Sequence, residues 1–295
     1  MKAKPHEVAV NYLLGKTYYK TVFRPKISKE SKKWNGWNGK NACLILSYDI
    51  DEESDIALLP KLLELLNKYG IKASFAVIGL LAKKNPELFN ELLKNGHELI
   101  NHTQTHPDSI EFNPDKHFHT IPSNERFIEI KQCHDTVKEL FKYEMKGFRV
   151  PHFGYQFTPD IYESLEKLGY RFSSSTLAIN TKTQGFPFRQ DNVWELPMIC
   201  CPKHPFCIFD TSHAFRSRFA RHEPEDYIRT FEHLISDGIK HNMFINLYQD
   251  PQDIDKFDYE TMLEIIIKNK DKLWITTYGP LCDYLDNNKL YKKTS

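Results

Sequence analysis

Two short motifs place carboxylates and imidazoles close together in the sequence. Asp49 and Asp51 are separated by one residue, and His102 and His106 stand four residues apart. Two histidines and one carboxylate are a common ligand set for a catalytic divalent ion such as zinc, which keeps an open position for water. The other carboxylate can then take the proton from that water. The two motifs together predict a hydrolytic metal centre.

Each motif follows an apolar run that predicts a buried strand. Residues 42–46 precede the aspartates, and residues 98–100 precede the histidines. Polar side chains at the carboxyl ends of such strands meet at one rim of an α/β barrel. We expect the histidine spacing to put both rings on one side of a helical turn. The ordinary alternatives are a chance histidine pair and an aspartate that caps the next helix.

Beyond residue 42, apolar strands alternate with amphipathic helices, and the alternation predicts parallel βαβ units. Six or seven units favour a closed or nearly closed barrel. We assign residues 41–295 to this barrel and residues 1–40 to an irregular N-terminal arm packed on it. Trp34 and Trp37 in the arm are interpreted as packing anchors, with substrate stacking as the alternative.

The composition excludes some partners and predicts a location. Forty basic and 39 acidic side chains leave a formal charge of +1, which gives no electrostatic reason to expect nucleic acid or an anionic membrane. No run approaches the roughly 20 apolar residues of a membrane span. The first residues lack a signal-peptide core, and the six cysteines have no CxxC spacing. These features predict a cytoplasmic protein with reduced thiols; Cys200 and Cys201 are assigned no role.

Four segments resemble, in order, the motifs of the polysaccharide deacetylases, the NodB-homology family of carbohydrate esterase family 4 type. They are residues 46–52, 71–79, 97–107 and 147–155. The similarity extends from about residue 41 to about residue 285. It implies an α/β fold, a distorted (β/α) barrel of about seven parallel strands, with a groove at the carboxyl ends of the strands.

The resemblance also implies a metal site. By position, Asp51, His102 and His106 match the family's ligands for one divalent ion. Zinc is the expected ion, with cobalt, nickel and manganese as alternatives.

Catalytic roles follow from the same resemblance. Asp49 matches the family's general base, and Arg149 matches the arginine that pairs with it and orients it. Gly154 and Tyr155 fall where a backbone amide helps to hold the oxyanion. A carboxylate beside a guanidinium is kept ionised, as a base must be, and a glycine lets the backbone approach substrate closely.

One functional pair of the family is missing from this chain. The family's general acid is a histidine in a later motif, but residues 244–251 contain none, and Asp250 stands in its place. Ser173 stands where an aspartate normally supports that histidine.

Three explanations of the missing histidine remain open. Asp250 acts as the acid with a raised pKa, or a histidine replaces it, or the protein binds its substrate without turning it over. The candidate histidines are His152 and the loop residues His117 and His119.

The predicted function is that of a metal-dependent C–N hydrolase. It would remove an N-acyl group, typically acetyl, from an N-acylated amino sugar or a glycoconjugate precursor. The alternatives are an allantoinase-like amidohydrolase of a small non-sugar amide and a catalytically silent sugar-binding homologue. The sequence makes no prediction of the oligomeric state.

Overall fold

A computed structural model describes residues 10–217 and 221–288. Within these ranges the chain forms one sheet of nine strands. The strands are β1 (Ala42–Ile50), β2 (Ser74–Val77), β3 (Glu98–Asn101), β4 (Gly147–Phe148), β5 (Phe172–Ser173), β6 (Phe188–Gln190), β7 (Val193–Glu195), β8 (Phe244–Gln249) and β9 (Leu273–Thr276).

Ten α-helices lie among the described residues, most of them between consecutive strands. They are α1 (Gly15–Tyr18), α2 (Arg24–Ser31), α3 (Glu53–Tyr69), α4 (Gly79–Lys84), α5 (Pro86–Lys94), α6 (Ser123–Phe141), α7 (Ile161–Lys167), α8 (Pro224–Lys240), α9 (Tyr259–Lys268) and α10 (Tyr278–Asn287).

Seven parallel strands form the continuous part of the sheet, in the order β7-β5-β4-β3-β2-β1-β8. Strand β6 runs antiparallel at the outer edge of β7, and β9 pairs with the first half of β1. The sheet is curved, and its two ends approach each other. Ile199, beyond β7, donates a backbone hydrogen bond to Asn246 O in β8 (2.9 Å). The prediction of a distorted barrel of about seven parallel strands is confirmed.

Strand β1 is central, and its sequence reflects this. All nine of its residues are buried, because β8 lies on one side and β2 and β9 on the other. A parallel strand covered on both faces is an apolar run rather than an alternating one. Ser47 and Asp49 are the polar exceptions, and their spacing of two puts both side chains on the same face of the sheet.

The turn after β1 is fixed by Asp55. Its Oδ2 accepts hydrogen bonds from the backbone N–H groups of Asp51 (3.2 Å) and Glu52 (3.1 Å), as in a capping box for helix α3. Its Oδ1 accepts from Gln252 N (3.1 Å) beyond β8. Asp55 therefore caps the helix, whereas Asp49 and Asp51 point their carboxylates elsewhere.

The N-terminal arm differs from the prediction, because it is helical rather than irregular. Between Val10 and Ser31, π-helical turns alternate with α1 and α2. Trp34 and Trp37 are buried and stacked on each other with centroids 4.9 Å apart, and Trp37 Nε1 donates to Asn242 O (3.1 Å). This burial agrees with packing rather than substrate stacking. Residues 1–9 lie outside the described chain, and the division at residue 40 stays a prediction.

Two further observations concern location. Among the described helices, none has the length and apolar character that crossing a bilayer requires. All six cysteines are free thiols.

Candidate active site

Asp51, His102 and His106 come together at the carboxyl ends of β1 and β3. Each offers a ligand atom, and these atoms lie within 4.8 Å of one another. His106 Nε2 is 3.2 Å from Asp51 Oδ2, and His102 Nε2 is 3.9 Å from the same oxygen. The three residues are called the metal triad below.

The predicted helical turn between the two histidines is wrong. Residues 102–106 form a loop in which Thr103 (φ 74°) and His106 (φ 52°) adopt left-handed backbone conformations. Asn101 Oδ1 accepts from Thr103 N (2.8 Å), and Thr103 Oγ1 accepts from His106 N (3.0 Å). These hydrogen bonds stabilise the unfavourable backbone conformations, which are typical of functional sites. The loop brings the rings of His102 and His106 together, with centroids 4.8 Å apart.

The triad fits a divalent cation by two tests. His102 Nδ1 lies 2.8 Å from Arg149 O; because a carbonyl only accepts, Nδ1 donates, and Nε2 keeps a lone pair on the side of Asp51. His106 is buried, yet neither of its ring nitrogens makes a hydrogen bond within the described chain, although Asp51 Oδ2 is near. A buried polar atom without a hydrogen-bond partner requires an explanation, and a bound cation supplies one.

The protonation states of His102 and Asp51 also favour the binding of a cation. Burial lowers the pKa of His102 well below its ordinary value, and neighbouring His106 lowers it further. Burial alone would raise the pKa of Asp51, but His106 and His102 hold it below its usual range. His102 thus offers a neutral imidazole and Asp51 a carboxylate, which are the forms that bind metals.

Arg149, directly after β4, holds Asp49 inside the barrel. The guanidinium is completely buried, and its Nη1 donates to Asp49 Oδ1. Its Nη2 donates to Ser47 Oγ (2.8 Å), Ser174 Oγ (3.1 Å) and Tyr278 OH (2.6 Å). Asp49 Oδ2 faces the triad, 3.8 Å from His102 Nε2. The arginine therefore fixes one carboxylate oxygen and leaves the other beside the triad.

Asp49 has the proton affinity of a base. Burial raises its pKa to about 6, although the Arg149 guanidinium opposes the rise, and the charge of Asp51 adds to it. The carboxylate is therefore ionised at neutral pH and accepts a proton more readily than an exposed aspartate does.

Asp250 is buried at the same rim rather than facing solvent. Only 3% of the residue is exposed; its backbone N–H donates to Thr211 Oγ1 (2.9 Å), and its Oδ2 accepts from Arg216 Nη2. Burial raises the pKa of Asp250 well above its ordinary value, against the effect of Arg216, and the charges of Asp51, Asp55 and Asp49 raise it further.

Asp210 and Arg216 are components of this rim that the sequence interpretation missed. Burial raises the pKa of Asp210 to about 7; Arg216 lowers it, and Asp49 is among the charges that raise it. Arg216 Nε also lies 3.6 Å from Asp253 Oδ2. Both residues come from the long segment between β7 and α8, which follows no strand–helix pattern and so gave no signal.

Gly154 and Tyr155 lie further along the chain in the 3₁₀ turn Phe153–Tyr155. A methyl group added at Gly154 would meet nothing within 4 Å. Gly154 lines a cavity of about 1030 Å³ together with Phe157 and Trp194, and none of the triad residues lines that cavity. The oxyanion role of Gly154 and Tyr155 stays a prediction.

The alternative histidines separate into two groups. His152 packs against the His106 ring, with centroids 4.8 Å apart, and so lies beside the triad. His117 Nδ1 lies 3.1 Å from Asp108 Oδ1, and His119 packs against Tyr155, with centroids 5.6 Å apart. Of the three, His152 is the one in contact with a triad residue.

Comparisons with known proteins find polysaccharide deacetylases among the similar sequences. Residues 38–173 match the polysaccharide deacetylase family. The peptidoglycan-N-acetylglucosamine deacetylase of Bacillus cereus is 32% identical over 93 residues, which are 32% of this chain and 44% of that protein. The chitooligosaccharide deacetylase of Sinorhizobium fredii is 40% identical over 58 residues, which are 20% of this chain and 27% of that protein. The chain thus spans less than half the length of these relatives.

Solved structures share the fold. A structure from Mycobacterium smegmatis assigned to the polysaccharide deacetylases has a TM-score of 0.71 and 16% identity, covering 88% of this chain and 95% of that one. The allantoinase PuuE has a TM-score of 0.68 and 11% identity, covering 87% and 94%. A family 4 carbohydrate esterase pseudoenzyme of Bacillus anthracis has a TM-score of 0.53 and 15% identity, covering 83% and 66%.

The family match includes the metal triad, Asp49 and Arg149, whereas Asp250 lies outside it. All four sequence motifs lie within the same residues. The resemblance to the polysaccharide deacetylases of the NodB-homology family is confirmed, and the family match covers residues 38–173 of this chain.

Proposed function

We propose that this chain is a metal-dependent hydrolase that removes an N-acyl group, typically acetyl, from an amino sugar or a glycoconjugate precursor. The observation that supports it best is the position of the metal triad beside the Asp49–Arg149 pair. One cation site and one oriented base are the two parts that water-dependent cleavage of an amide requires.

Each side chain has a role in this proposal. Asp51, His102 and His106 would hold a divalent cation, which would supply polarisation of a carbonyl and activation of water. Asp49 Oδ2 takes the proton of the attacking water, and Arg149 keeps the carboxylate turned toward the triad. Asp250, buried at the rim with a raised pKa, protonates the leaving amine.

The substrate class rests on the relatives. Peptidoglycan and chitooligosaccharide deacetylases, as their names state, remove acetyl groups from N-acetylated glycans. We propose a smaller precursor in the cytoplasm, because the free thiols suit a reducing compartment. An allantoinase and a pseudoenzyme share this fold. The assay therefore also tests two alternatives, a hydrolase of small amides and a binding protein without catalytic activity.

The test is an acetate-release assay with purified protein, with and without a chelator. We expect acetate from N-acetylglucosamine oligomers or nucleotide-linked N-acetylglucosamine, lost with chelator and restored by zinc. Allantoin serves as the competing substrate. Turnover of allantoin alone would favour the small-amide alternative, and binding of glycans without turnover would favour the silent homologue.

Replacement of Asp250 by asparagine tests the general acid. We expect Asp250→Asn to lower turnover about 10²-fold, because the amide cannot protonate the leaving amine. The limb of the pH–rate profile that reports the acid should also disappear. For a substrate whose leaving amine needs less protonation, the same substitution should lower turnover by a smaller factor.

His152→Ala is the matched control, since His152 also lies beside the triad. We expect it to change KM more than kcat and to keep both limbs of the profile. The opposite pattern, a wild-type rate and profile in Asp250→Asn with the loss in His152→Ala, would make His152 the acid.

A further inference from the structure

A second group of metal-binding side chains lies in the segment between β7 and α8. Cys201, His204, His213 and His222 each offer one ligand atom, and these four atoms lie within 4.8 Å of one another. Cys201, His204 and His222 are buried, and His213 is half-buried. None of the four belongs to the metal triad.

Three of the distances between these atoms are close to those in a tetrahedral site. Cys201 Sγ lies 3.3 Å from His222 Nε2 and 3.8 Å from His204 Nδ1, and His204 Nδ1 lies 3.2 Å from His213 Nε2. Zinc bonds of about 2.0–2.1 Å to nitrogen and 2.3 Å to sulfur require separations of about 3.3–3.6 Å between tetrahedral ligands. The four electron-pair donors therefore converge at the spacing that one ion needs.

The contacts of His222 also favour a bound cation. His222 Nδ1 lies 3.2 Å from Asp226 Oδ2, and that carboxylate is held by Lys203 Nζ (2.8 Å). A carboxylate behind the far nitrogen of a histidine is the usual outer support of a metal ligand.

We propose that Cys201, His204, His213 and His222 bind a second divalent ion of the zinc type in a closed, structural site. One thiolate and three imidazoles select a borderline-soft ion over magnesium or calcium, which prefer oxygen. Four protein ligands leave no open position for substrate or water, so the site stabilises structure and performs no chemistry.

The segment it would stabilise reaches the active-site rim. His213 N donates to Asp210 Oδ1 (2.6 Å), Thr211 Oγ1 accepts from Asp250 N, and Arg216 pairs with Asp250. The described residues between β7 and α8, which are 196–217 and 221–223, contain no regular strand or α-helix. A metal in the four-ligand site would therefore fix the residues that hold Asp250.

The experiment uses cobalt as the probe, because thiolate ligation gives Co(II) a near-ultraviolet charge-transfer absorption that histidine and carboxylate ligands do not. Full-length protein is stripped with a chelator and titrated with Co(II). We expect two bound equivalents and a thiolate band that saturates at one of them. The His102→Ala variant, with the triad disrupted, should keep the band and bind one equivalent.

Cys201→Ser should lose the band, whereas Cys207→Ser should keep it. Cys207 lies in the same segment but outside the four-ligand group, with its thiol held by Asn11 Nδ2 (3.3 Å). Wild-type protein that binds cobalt without a thiolate band, or a band that survives Cys201→Ser, would overturn the proposal. The wild-type titration needs no variant, so a folding defect in Cys201→Ser cannot obscure the result. Deacetylase activity is not required for the readout.

Discussion

Asp49→Asn is expected to lower turnover about 10²–10⁴-fold while one equivalent of metal stays in the triad. The amide has the shape of the carboxylate, and its oxygen can still accept from Arg149. However, the asparagine amide cannot take a proton from water at neutral pH, as the carboxylate does. Acetate release under saturating substrate gives kcat, and elemental analysis of the same sample gives the metal content.

Two controls distinguish a fall in turnover caused by the missing base from one caused by a disturbed protein interior. The change leaves the Arg149 charge without its buried counterion, which costs stability, so the melting temperature is measured beside the rate. Ser174→Ala removes another partner of Arg149 (3.1 Å) without touching the base, and its rate should fall far less. A wild-type rate in Asp49→Asn would place the base elsewhere, and Glu52 would be tested next.

His102→Ala is expected to reduce turnover to background and to remove one equivalent of metal. The ring contributes Nε2 to the triad, and its Nδ1 lies against Arg149 O, so the truncation removes a ligand and its support together. Two remaining ligands bind a divalent ion far more weakly than three. Elemental analysis after gel filtration and the acetate assay measure the two effects.

His241→Ala is the matched control, because His241 directly follows helix α8 as its C-cap and belongs to neither metal-binding group. It should keep full metal content and full activity. If His102→Ala retained stoichiometric metal in the triad, the assignment of ligands at this rim would be wrong. The expected loss is one equivalent whether or not the four-ligand site is also occupied.

The fold was predictable where apolar patterns were long. Strand β1 (Ala42–Ile50) was identified from the apolar run at residues 42–46. Strand β6 was missed because it has three residues that are mostly exposed, so no apolar alternation marks it. The helical arm was missed although Tyr19, Phe23 and Ile27, all buried, repeat every fourth residue, which is a helical spacing.

The candidate site was predictable in its residues but less so in its geometry. Asp49, Asp51, His102, His106 and Arg149 come together as the motifs suggested. The left-handed conformations of Thr103 and His106 could not be anticipated, because neither residue is a glycine.

The four-ligand group did leave a signal in the sequence. Cys201 and His204 are three residues apart, and His213 and His222 follow at equal intervals of nine. A search for paired cysteines alone overlooks a ligand set of one cysteine and three histidines.

The short π-helical turn Ser212–Arg216 has a consequence for cooperativity. It carries His213, which is a member of the four-ligand group, and Arg216, which pairs with Asp250. Five consecutive residues in one turn cannot shift independently, so a displacement at one end reaches the other. If metal at His213 strengthens substrate binding near Asp250, linkage requires substrate to strengthen metal binding by the same factor. Substrate would then raise the chelator concentration that is needed, at equilibrium, to remove metal from a site that substrate never touches.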